Sequence, residues 1–489
     1  MLDQTQTPLL SQLQACAQRT YAPFHTPGHK RGQGAPVKLK ELVGQQALQA
    51  DLPELPELDN LFAPESVIQA AQALAAEAFG ADRTWFLVNG STGGVMAAIL
   101  ATCQPGDFII LPRNVHQSAI AGLVLAGAIP IFIQPAVDIT FTLAHGLDPA
   151  AVEIALQTYP TAKAVLLVSP TYHGVCSNVA EIAQITQKYN VPLLVDEAHG
   201  AHFQFHPDLP TAALAAGADL VVQSPHKTLA SLTQAAMLHL RGNRLSPTRI
   251  QAALGLVQST SPSYLLLASL DAARQQMATE GFCLLTHTLA LAQQARSQLQ
   301  AISGIKLLTA DAPSPGFFQL DLTRITVHLT SLGQDGFTAD AILHQEMGVT
   351  AELPTAQTLT FIISLGNTPT DIERLVTGFQ QLGAITPGNP QPLPFEFGLP
   401  ASPPFNLYPL PALTPREAFF ASTEIVSTQA AVNRISADLI CPYPPGIPLL
   451  FPGEPITPDA IAALKAIRAA GGTLTGCTDP TLQTLKVIH

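Results

Sequence analysis

The chain has 489 residues, of which 47% are hydrophobic and 12% are charged, and its formal net charge is −12. This length predicts more than one domain, or one large domain with additions. The negative charge argues against sequence-independent binding of nucleic acid. The N-terminus lacks a basic segment followed by an apolar run, longer apolar runs are interrupted, and the six cysteines are scattered. We therefore expect no signal peptide, no transmembrane helix, no disulfide framework and a cytoplasmic location.

From residue 85 to residue 240, short apolar runs alternate with helix-like stretches. The predicted strands are Trp85–Val88, Phe108–Leu111, Pro130–Ile133, Ala164–Val168, Leu193–Val195, Leu220–Val222 and Ala236–Leu240. The predicted helices are Gly94–Cys103, Ser118–Ala126, Asn178–Tyr189 and Thr211–Ala216. Strands rich in Val, Ile and Leu, separated by helices, are typical of an α/β fold with a mostly parallel sheet covered on both faces. Such sheets bind ligands at the carboxyl ends of their strands.

The second half of the chain predicts smaller domains. Its predicted elements up to residue 385 are helices at 282–302 and Thr338–Gln345 and strands at 316–322, 324–330 and 358–365, which together indicate a small α+β domain. A proline-rich stretch that follows predicts an extended connector. The resulting division is an N-terminal arm (1–60), a large domain (61–281), a small domain (282–385), a linker (386–415) and a C-terminal domain (416–489).

The first predicted strand is followed by Asn-Gly-Ser-Thr-Gly-Gly, residues 89–94, and then by a helix. Glycines let the backbone approach an anion closely, and a helix N-terminus supplies N–H groups and a positive dipole end. One interpretation is therefore a phosphate site that uses Gly90, Ser91 and Thr92. The other is an ordinary glycine turn with a Ser or Thr cap, and this stretch alone fits both equally. It matches neither the dinucleotide-binding nor the triphosphate-binding glycine motif.

Two later strand ends carry an acid and an amine. Asp196 ends a buried strand, which is unfavourable unless the carboxylate meets a partner such as a protonated pyridine nitrogen. Lys227 comes 31 positions later, after the next strand, and this interval has room for one crossover. A lysine for a Schiff base, a carboxylate for the ring nitrogen and a helix N-terminus for a phosphate are what pyridoxal 5′-phosphate (PLP) needs. The three features in this order predict PLP as the cofactor.

The sequence resembles the PLP-dependent ornithine/lysine/arginine decarboxylases of fold-type I, in the short form without an N-terminal wing domain. The motifs that carry the resemblance are HTPGHKRG (25–32), LDNLFAPESVIQAAQALAAEAFGA (58–81), FLVNGSTGG (86–94), RNVHQSAIAGLVLAGA (113–128), SPTYHGVCSNV (169–179), VDEAHGAH (195–202), SPHKTL (224–229), STSPSY (259–264) and CPYPPGIPLLFPGE (441–454). The resemblance implies an aspartate aminotransferase-like large domain that binds PLP, a smaller α+β domain and a C-terminal domain.

The resemblance also implies roles around the cofactor ring. Lys227 would form the Schiff base, and Asp196 would hold the ring nitrogen in its protonated form. His116 would stack on the ring, with Ala198 against the opposite face. His199 stands where larger relatives have Trp, and this difference changes the contact to the phenolic oxygen of the cofactor.

Further residues would act around the phosphate and the substrate. His226, beside the lysine, is a candidate proton donor, because an imidazole near neutrality suits proton transfer. Thr260 would reach into the neighbouring subunit's site, since the family builds its sites in homodimers or higher oligomers. Glu352 would face the cationic side chain of the substrate. The phosphate would be held by Gly90, Ser91, Thr92 and Ser224, with His226 beside it.

The function implied by the resemblance is decarboxylation of a basic amino acid, through an external aldimine, for polyamine metabolism. Arginine to agmatine is the first choice, lysine to cadaverine the second and ornithine the third. The alternatives are an aminotransferase or carbon–carbon lyase of the same fold, and a non-catalytic regulator. The histidines of HGAHFQFH lack a usual metal-binding spacing, so we expect no metal site.

Overall fold

The computed structural model describes residues 1–310, 314–385, 407–443 and 445–489. Its helices are α1 (Pro8–Gln18), α2 (Val37–Ala50), α3 (Val67–Phe79), α4 (Gly90–Thr102), α5 (Gln117–Ala126), α6 (Pro149–Thr158), α7 (Val179–Lys188), α8 (Pro225–Thr228), α9 (Pro247–Val257), α10 (Tyr264–Gln300), α11 (Gly336–Met347), α12 (Pro369–Ala384), α13 (Pro415–Phe420) and α14 (Pro458–Ala469). Among the described helices, none is long and apolar enough to cross a membrane.

The strands are short, as is usual for a sheet with helical crossovers. They are β1 (Arg83–Leu87), β2 (Phe108–Pro112), β3 (Ile129–Ile133), β4 (Val137–Asp138), β5 (Leu143–Ala144), β6 (Ala164–Val168), β7 (Val175–Cys176), β8 (Leu193–Asp196), β9 (Leu220–Gln223), β10 (Ala236–Leu240), β11 (Lys306–Leu307), β12 (Gln319–Leu320), β13 (Arg324–His328), β14 (Leu353–Pro354), β15 (Thr358–Ile362), β16 (Thr423–Ser427), β17 (Cys441–Tyr443), β18 (Thr473–Thr475) and β19 (Thr484–Ile488).

The chain divides into two compact units, each built from two stretches of sequence. The first unit comprises Met1–Ala101 and Asp196–Leu285, and the second comprises Thr102–Val195 and Thr286–His489. In the first unit, β10 lies between β1 and β9 and pairs antiparallel with both. Every residue of β9 and β10 is buried, which explains why these strands are almost continuously apolar in sequence.

The second unit contains parallel strands and two smaller sheets. Strands β8, β6, β2 and β3 are neighbours in that order, and β2 is parallel to both β3 and β6. A separate antiparallel sheet has the order β11-β13-β15-β14 and shares a hydrophobic core with α11 and α12. The C-terminal part pairs β16 with β19 and β17 with β18, around a core that includes α14. The predicted α/β class with a mostly parallel sheet is confirmed.

Most predicted elements are present, and one is wrong. All strands predicted between residues 85 and 240 form within two residues of their predicted bounds, and the helix predicted at 282–302 is the end of the longer α10. The helix predicted over Thr211–Ala216 is instead a series of turns. It is too short to nucleate by itself, the amide of Ala213 donates to the Glu197 carboxylate, and Gly217 ends the segment with φ +104°. Of the predicted strand at 316–322, only β12 forms.

Most of the predicted linker, residues 386–406, lies outside the described residues. After it, Tyr408 donates its amide to the carbonyl of Phe132, next to a bridge between Leu407 and Ile133 at the end of β3. Helix α13 then begins with a capping box formed by Thr414 and Glu417. The chain therefore rejoins the second unit before the C-terminal elements begin.

Candidate active site

The glycine-rich loop after β1 is held tightly at the start of α4. Gly90 has φ +69°, a left-handed conformation that favours glycine. A Cβ on Gly94 would lie 2.7 Å from a methyl carbon of Val222 and 2.8 Å from one of Leu87, so only glycine lets the first turn of α4 pack this closely on β9 and β1. The first turn of this helix is therefore placed directly over the ends of two strands.

Side chains from other elements hold the end of β1. The Val88 amide donates to Oε1 of Gln258 at 2.9 Å, and its carbonyl accepts from Nε2 of Gln234 at 2.8 Å. Asn89 donates from Nδ2 to the carbonyl of Val257 at 2.9 Å. Beyond these anchors, Ser91 is half-buried and Thr92 is exposed, both in the first turn of α4.

Asp196 ends β8 in a buried position, with 7% of its surface exposed. Its Oδ1 accepts from the amide of Ala198 at 3.1 Å, which fixes the direction of the carboxylate. Burial raises the pKa of Asp196, while the charge of Lys227 and the Ala198 hydrogen bond lower it and only partly offset the burial effect. Asp196 and Lys227 therefore interact electrostatically, as a shared site requires, and the carboxylate needs a further cationic partner to be stably ionised.

Lys227 lies in α8, a single turn that begins with Ser224 and Pro225 directly after β9. Its side chain is half-buried, and its Nζ lies 3.0 Å from Nε2 of His199. His199 is itself buried, with 4% of its surface exposed. The sequence predicted both residues for the cofactor site, but it did not predict this direct contact between amine and imidazole.

His226 precedes the lysine and is half-buried. Its Nδ1 lies 2.8 Å from the carbonyl oxygen of Ala235, so Nδ1 carries the ring proton and Nε2 is left as the acceptor of the neutral ring. Burial lowers the pKa of His226, the Ala235 carbonyl raises it, and the charge of Lys227 lowers it further. The lowered pKa favours the neutral ring, in which Nε2 must take up a proton before it can give one up.

Three hydroxyl groups follow β9 without protein partners. The Oγ of Ser224, the Oγ1 of Thr228 and the Oγ of Ser231 are buried and have no hydrogen-bond partner among the described residues. Ser224 is 0% exposed. Buried hydroxyls without a partner are rare because they lose their hydrogen bonds to water. Together with the N-terminus of α4, these donors fit an anionic ligand such as the phosphate of PLP.

A buried polar network lies directly beside Asp196. Glu197 accepts from Nε2 of Gln223 at 2.7 Å and from the amide of Ala213 at 2.8 Å. The Oε1 of Gln223 lies 3.1 Å from Nε2 of His239, whose Nδ1 lies 2.8 Å from the Thr84 hydroxyl. Burial raises the pKa of Glu197 to about 8, against its two hydrogen bonds, and lowers the pKa of His239 to about 3. The network anchors residue 197 and so the backbone next to the Asp196 carboxylate.

Replacing Glu197 by glutamine is expected to flatten the pH dependence of the free energy of unfolding between about pH 4.5 and about pH 8. In the unfolded chain this carboxyl ionises near pH 4.5, whereas in the folded chain it keeps its proton up to about pH 8. The folded state therefore binds more protons in this window, so stability falls as the pH rises, by at most about 1.4 kcal/mol per pH unit, and levels off above the folded pKa. Urea unfolding of both proteins across this range measures the difference.

The matched control is Glu41→Gln, which removes an exposed carboxylate of α2 and should leave the pH profile as it is. If the free energies of unfolding of wild type and Glu197→Gln differ by the same amount at every pH, Glu197 does not titrate in this range.

Three further residues were predicted for the site, namely Thr260, His116 and Glu352. Thr260 is exposed in the loop between α9 and α10. His116 and Glu352 belong to the second unit, where His116 caps the N-terminus of α5 and Glu352 is exposed before β14. Within the first unit, Asp196 accepts from the amide of Ala198, and Lys227 contacts His199. The carbonyl of Ser224 accepts from the backbone amide of Lys227, and His226 directly precedes this lysine. Among the described residues, no group of three His, Cys, Asp or Glu side chains has the arrangement of a metal site.

Two stretches of the chain match models of one protein family. Residues 7–315 match the family model described as Orn/Lys/Arg decarboxylase, major domain, and residues 403–479 match its C-terminal domain. The chain belongs to the Orn/Lys/Arg decarboxylase family. The predicted family and the predicted enzyme class are therefore confirmed.

Two relatives in this family are similar along the full chain. An arginine decarboxylase of Halalkalibacterium halodurans is 39% identical, with 100% of this chain and 99% of the relative covered. An arginine decarboxylase of Bacillus subtilis is 40% identical with the same coverage. Among solved structures, the Francisella novicida lysine decarboxylase LdcF aligns with a TM-score of 0.83 and 22% identity, covering 99% of this chain and 81% of that one. This last likeness supports the fold.

Proposed function

We propose that this protein decarboxylates arginine to agmatine with PLP as its cofactor. The observation that carries the choice of substrate is the identity of 39–40%, over the whole chain, to proteins named arginine decarboxylase. The geometry after β8 and β9 supports the class of chemistry. A buried carboxylate and a lysine interact there electrostatically, and nearby in sequence lie buried hydroxyls that have no hydrogen-bond partner in the described part of the chain.

Bound PLP would supply the electron sink for the electron pair that remains on the α-carbon when carbon dioxide leaves. Asp196 would hold a proton on the ring nitrogen, because a buried carboxylate is stabilised by a cationic partner. In return, that cation would lower the pKa of Asp196, which burial alone raises. The buried carboxylate of Asp196, at the end of β8, thus has an environment that favours pairing with a protonated ring nitrogen.

Lys227 would bind the cofactor through its amine and would later move protons at the α-carbon. The contact of 3.0 Å with His199 gives the amine a neighbour that can accept or return a proton. His226, with Nε2 as its available acceptor, is the second candidate for proton transfer. The carboxyl group of the substrate would lie in a poorly solvated position, which favours its loss as neutral carbon dioxide.

The anionic end of the cofactor would be held by donors from the first unit. These are the backbone of Gly90 in the first turn of α4, the hydroxyls of Ser91 and Thr92, and the buried Oγ of Ser224. A phosphate at the N-terminus of α4 would satisfy N–H groups that lack partners within the helix. Ala198 would lie against one face of the ring and His116 against the other.

Two proposed roles concern the substrate and the assembly. Glu352 would attract the cationic side chain of arginine, since it is an exposed carboxylate with room to meet a ligand. Thr260 would contribute to the site of a second copy, because it lies exposed in a loop of the first unit. A homodimer with shared sites is therefore part of the proposal.

The test is the product spectrum with arginine, lysine and ornithine supplied separately to the purified protein in the presence of PLP. We expect carbon dioxide and agmatine from arginine, at a higher kcat/KM than for the other two amino acids. A keto acid from any of them would instead indicate an aminotransferase. The absence of any product, together with no visible absorption band after addition of PLP, would overturn the cofactor and the enzymatic function alike.

A further inference from the structure

A segment of the C-terminal part, residues 445–454, is clamped to the residues that follow β2. Arg113 donates from Nε and Nη2 to the two carboxylate oxygens of Glu454, at 3.2 and 2.8 Å. The same guanidinium donates to the carbonyls of Pro448 and Leu449, at 2.8 and 3.1 Å. Arg113 is only 4% exposed, and its guanidinium lies 5.0 Å from the ring centroid of Phe451. One buried cation thus holds this segment at several points.

The clamped segment reaches His116 through Gly446. The carbonyl of Gly446 accepts from the amide of Gln117 at 3.0 Å. Gly446 has φ +89°, and a Cβ at this position would lie 3.3 Å from Nε2 of His116 and 3.4 Å from its Cδ2. The backbone of Gly446 therefore lies beside one edge of the imidazole, and a side chain at this position would require the ring or Gln117 to shift by a few tenths of an ångström.

The opposite edge of the imidazole is held from its own helix. Nδ1 of His116 accepts from the amide of Ser118 at 3.2 Å and lies 2.8 Å from the Ser118 hydroxyl. Because Nδ1 accepts a backbone hydrogen bond, the proton of the neutral ring is on Nε2, the atom that faces Gly446. The two contacts together set both the plane of the ring and its tautomer.

A third contact completes the clamp. Tyr172 donates from its hydroxyl to the carbonyl of Pro445 at 3.0 Å, and its ring packs against a small core formed by Ile447 and Ala144. Residues 445–447 are therefore fixed on both sides of Gly446, by Tyr172 before it and by the buried Ile447 after it. Movement of this segment away from His116 would break several contacts at once.

We infer that residues 445–454 are a positioning element for His116, which they hold in one fixed orientation before it meets the cofactor ring. Gly446, Tyr172, Arg113 and Glu454 act through His116 and are positioning residues, not catalytic ones. The inference rests on the proposed function, because the proposed function is what requires His116 to stack on the cofactor ring. The physical reason is that an imidazole fixed beforehand loses little rotational freedom when a ring stacks on it.

The test compares wild type with Gly446→Ala, Tyr172→Phe and Glu454→Gln as cofactor-free proteins. Titration with PLP, followed through the fluorescence of the single tryptophan, gives the Kd of each protein. A stacked aromatic contact corresponds to a change of about 2- to 10-fold in Kd, so we expect a rise of this size, largest for Gly446→Ala. The Kd for inorganic phosphate should stay unchanged, because the ring contact plays no part in binding it.

The matched control is Glu424→Gln, which removes an exposed ion pair with Arg434 in the same unit, at 2.7 Å, and none of the side-chain contacts of the clamp. It should leave both Kd values unchanged. If Gly446→Ala does not fold, the test rests on Tyr172→Phe and Glu454→Gln. Each of these two substitutions removes a hydrogen bond but keeps the approximate size and shape of the side chain. Folded variants that bind PLP as wild type does, or lose PLP and phosphate in parallel, would overturn the inference. A wild type that binds no PLP would instead overturn the proposed function.

Discussion

Replacement of Lys227 by alanine is expected to abolish arginine decarboxylation and the visible absorption band of the bound cofactor together. The amine is the group that would bind the cofactor and then move protons at the α-carbon. Proton transfer alone contributes a factor of about 10² to 10⁴, so we expect turnover to fall by roughly 10⁴ or more. Measured quantities are carbon dioxide release and the visible spectrum after addition of PLP. The fold should persist, because the side chain of Lys227 is only half-buried and its contact with His199 is between two side chains of the site.

The matched control for this prediction is Lys188→Ala. Lys188 forms an exposed ion pair with Glu153 at 2.6 Å, with 65% of its side chain accessible. Surface pairs of this kind contribute little to stability, so the control should keep both turnover and spectrum. A Lys227→Ala protein that retains the visible band would remove this residue from its proposed role, even if its activity were lost.

Asp196→Asn is expected to keep PLP bound but to reduce turnover by roughly 10³-fold, or about 4 kcal/mol in the activation free energy. Asparagine preserves the shape and can still accept the hydrogen bond from the Ala198 amide, which aspartate accepts at 3.1 Å. It cannot hold a positive charge on the ring nitrogen, because the amide is neutral. The measurement is kcat for arginine, with the visible spectrum as evidence that the cofactor is still bound.

Asp148→Asn is the control for the loss of a carboxylate. Asp148 caps α6 by accepting from the Ala150 amide at 2.9 Å, and asparagine is an equally good cap. We therefore expect this variant to keep the activity of wild type. A near-normal kcat in Asp196→Asn would show that the ring nitrogen needs no carboxylate here. The proposed role of Asp196 in keeping this nitrogen protonated would then be wrong.

The contact between Lys227 and His199 bears on both predictions. The family resemblance implies a contact of His199 with the cofactor, and the structure places Nε2 of His199 at 3.0 Å from Nζ of Lys227. A neighbouring imidazole can keep the amine oriented before the cofactor binds. The two interpretations are compatible, since a side chain that contacts the amine first can contact the bound ring afterwards.

Residues that sequence reasoning missed share one property, namely partners that are distant in sequence. Arg113 stands in the RNVHQS motif, but its partner Glu454 lies 341 positions away. Glu197 stands in the VDEAHGAH motif, and its contacts to Gln223 and the Ala213 amide place it in a buried network. The signal that could have found both was a charged residue beside a strand rich in apolar residues, since such a charge needs a buried partner.

The sequence by itself determined the order of strands and helices, the residues at the strand ends and the likeness to the Orn/Lys/Arg decarboxylases. These follow from local patterns, because the runs of Val, Ile and Leu and the residues that end them depend on neighbours in the chain. Only the tertiary structure decided that Lys227 meets His199 and that residues 211–216 form turns. It also decided that Gly446 lies beside His116 and that the hydroxyl of Ser224 is buried with no partner among the residues described. The reason is that packing, which brings residues far apart in the chain into contact, sets distances and desolvation that no local pattern contains.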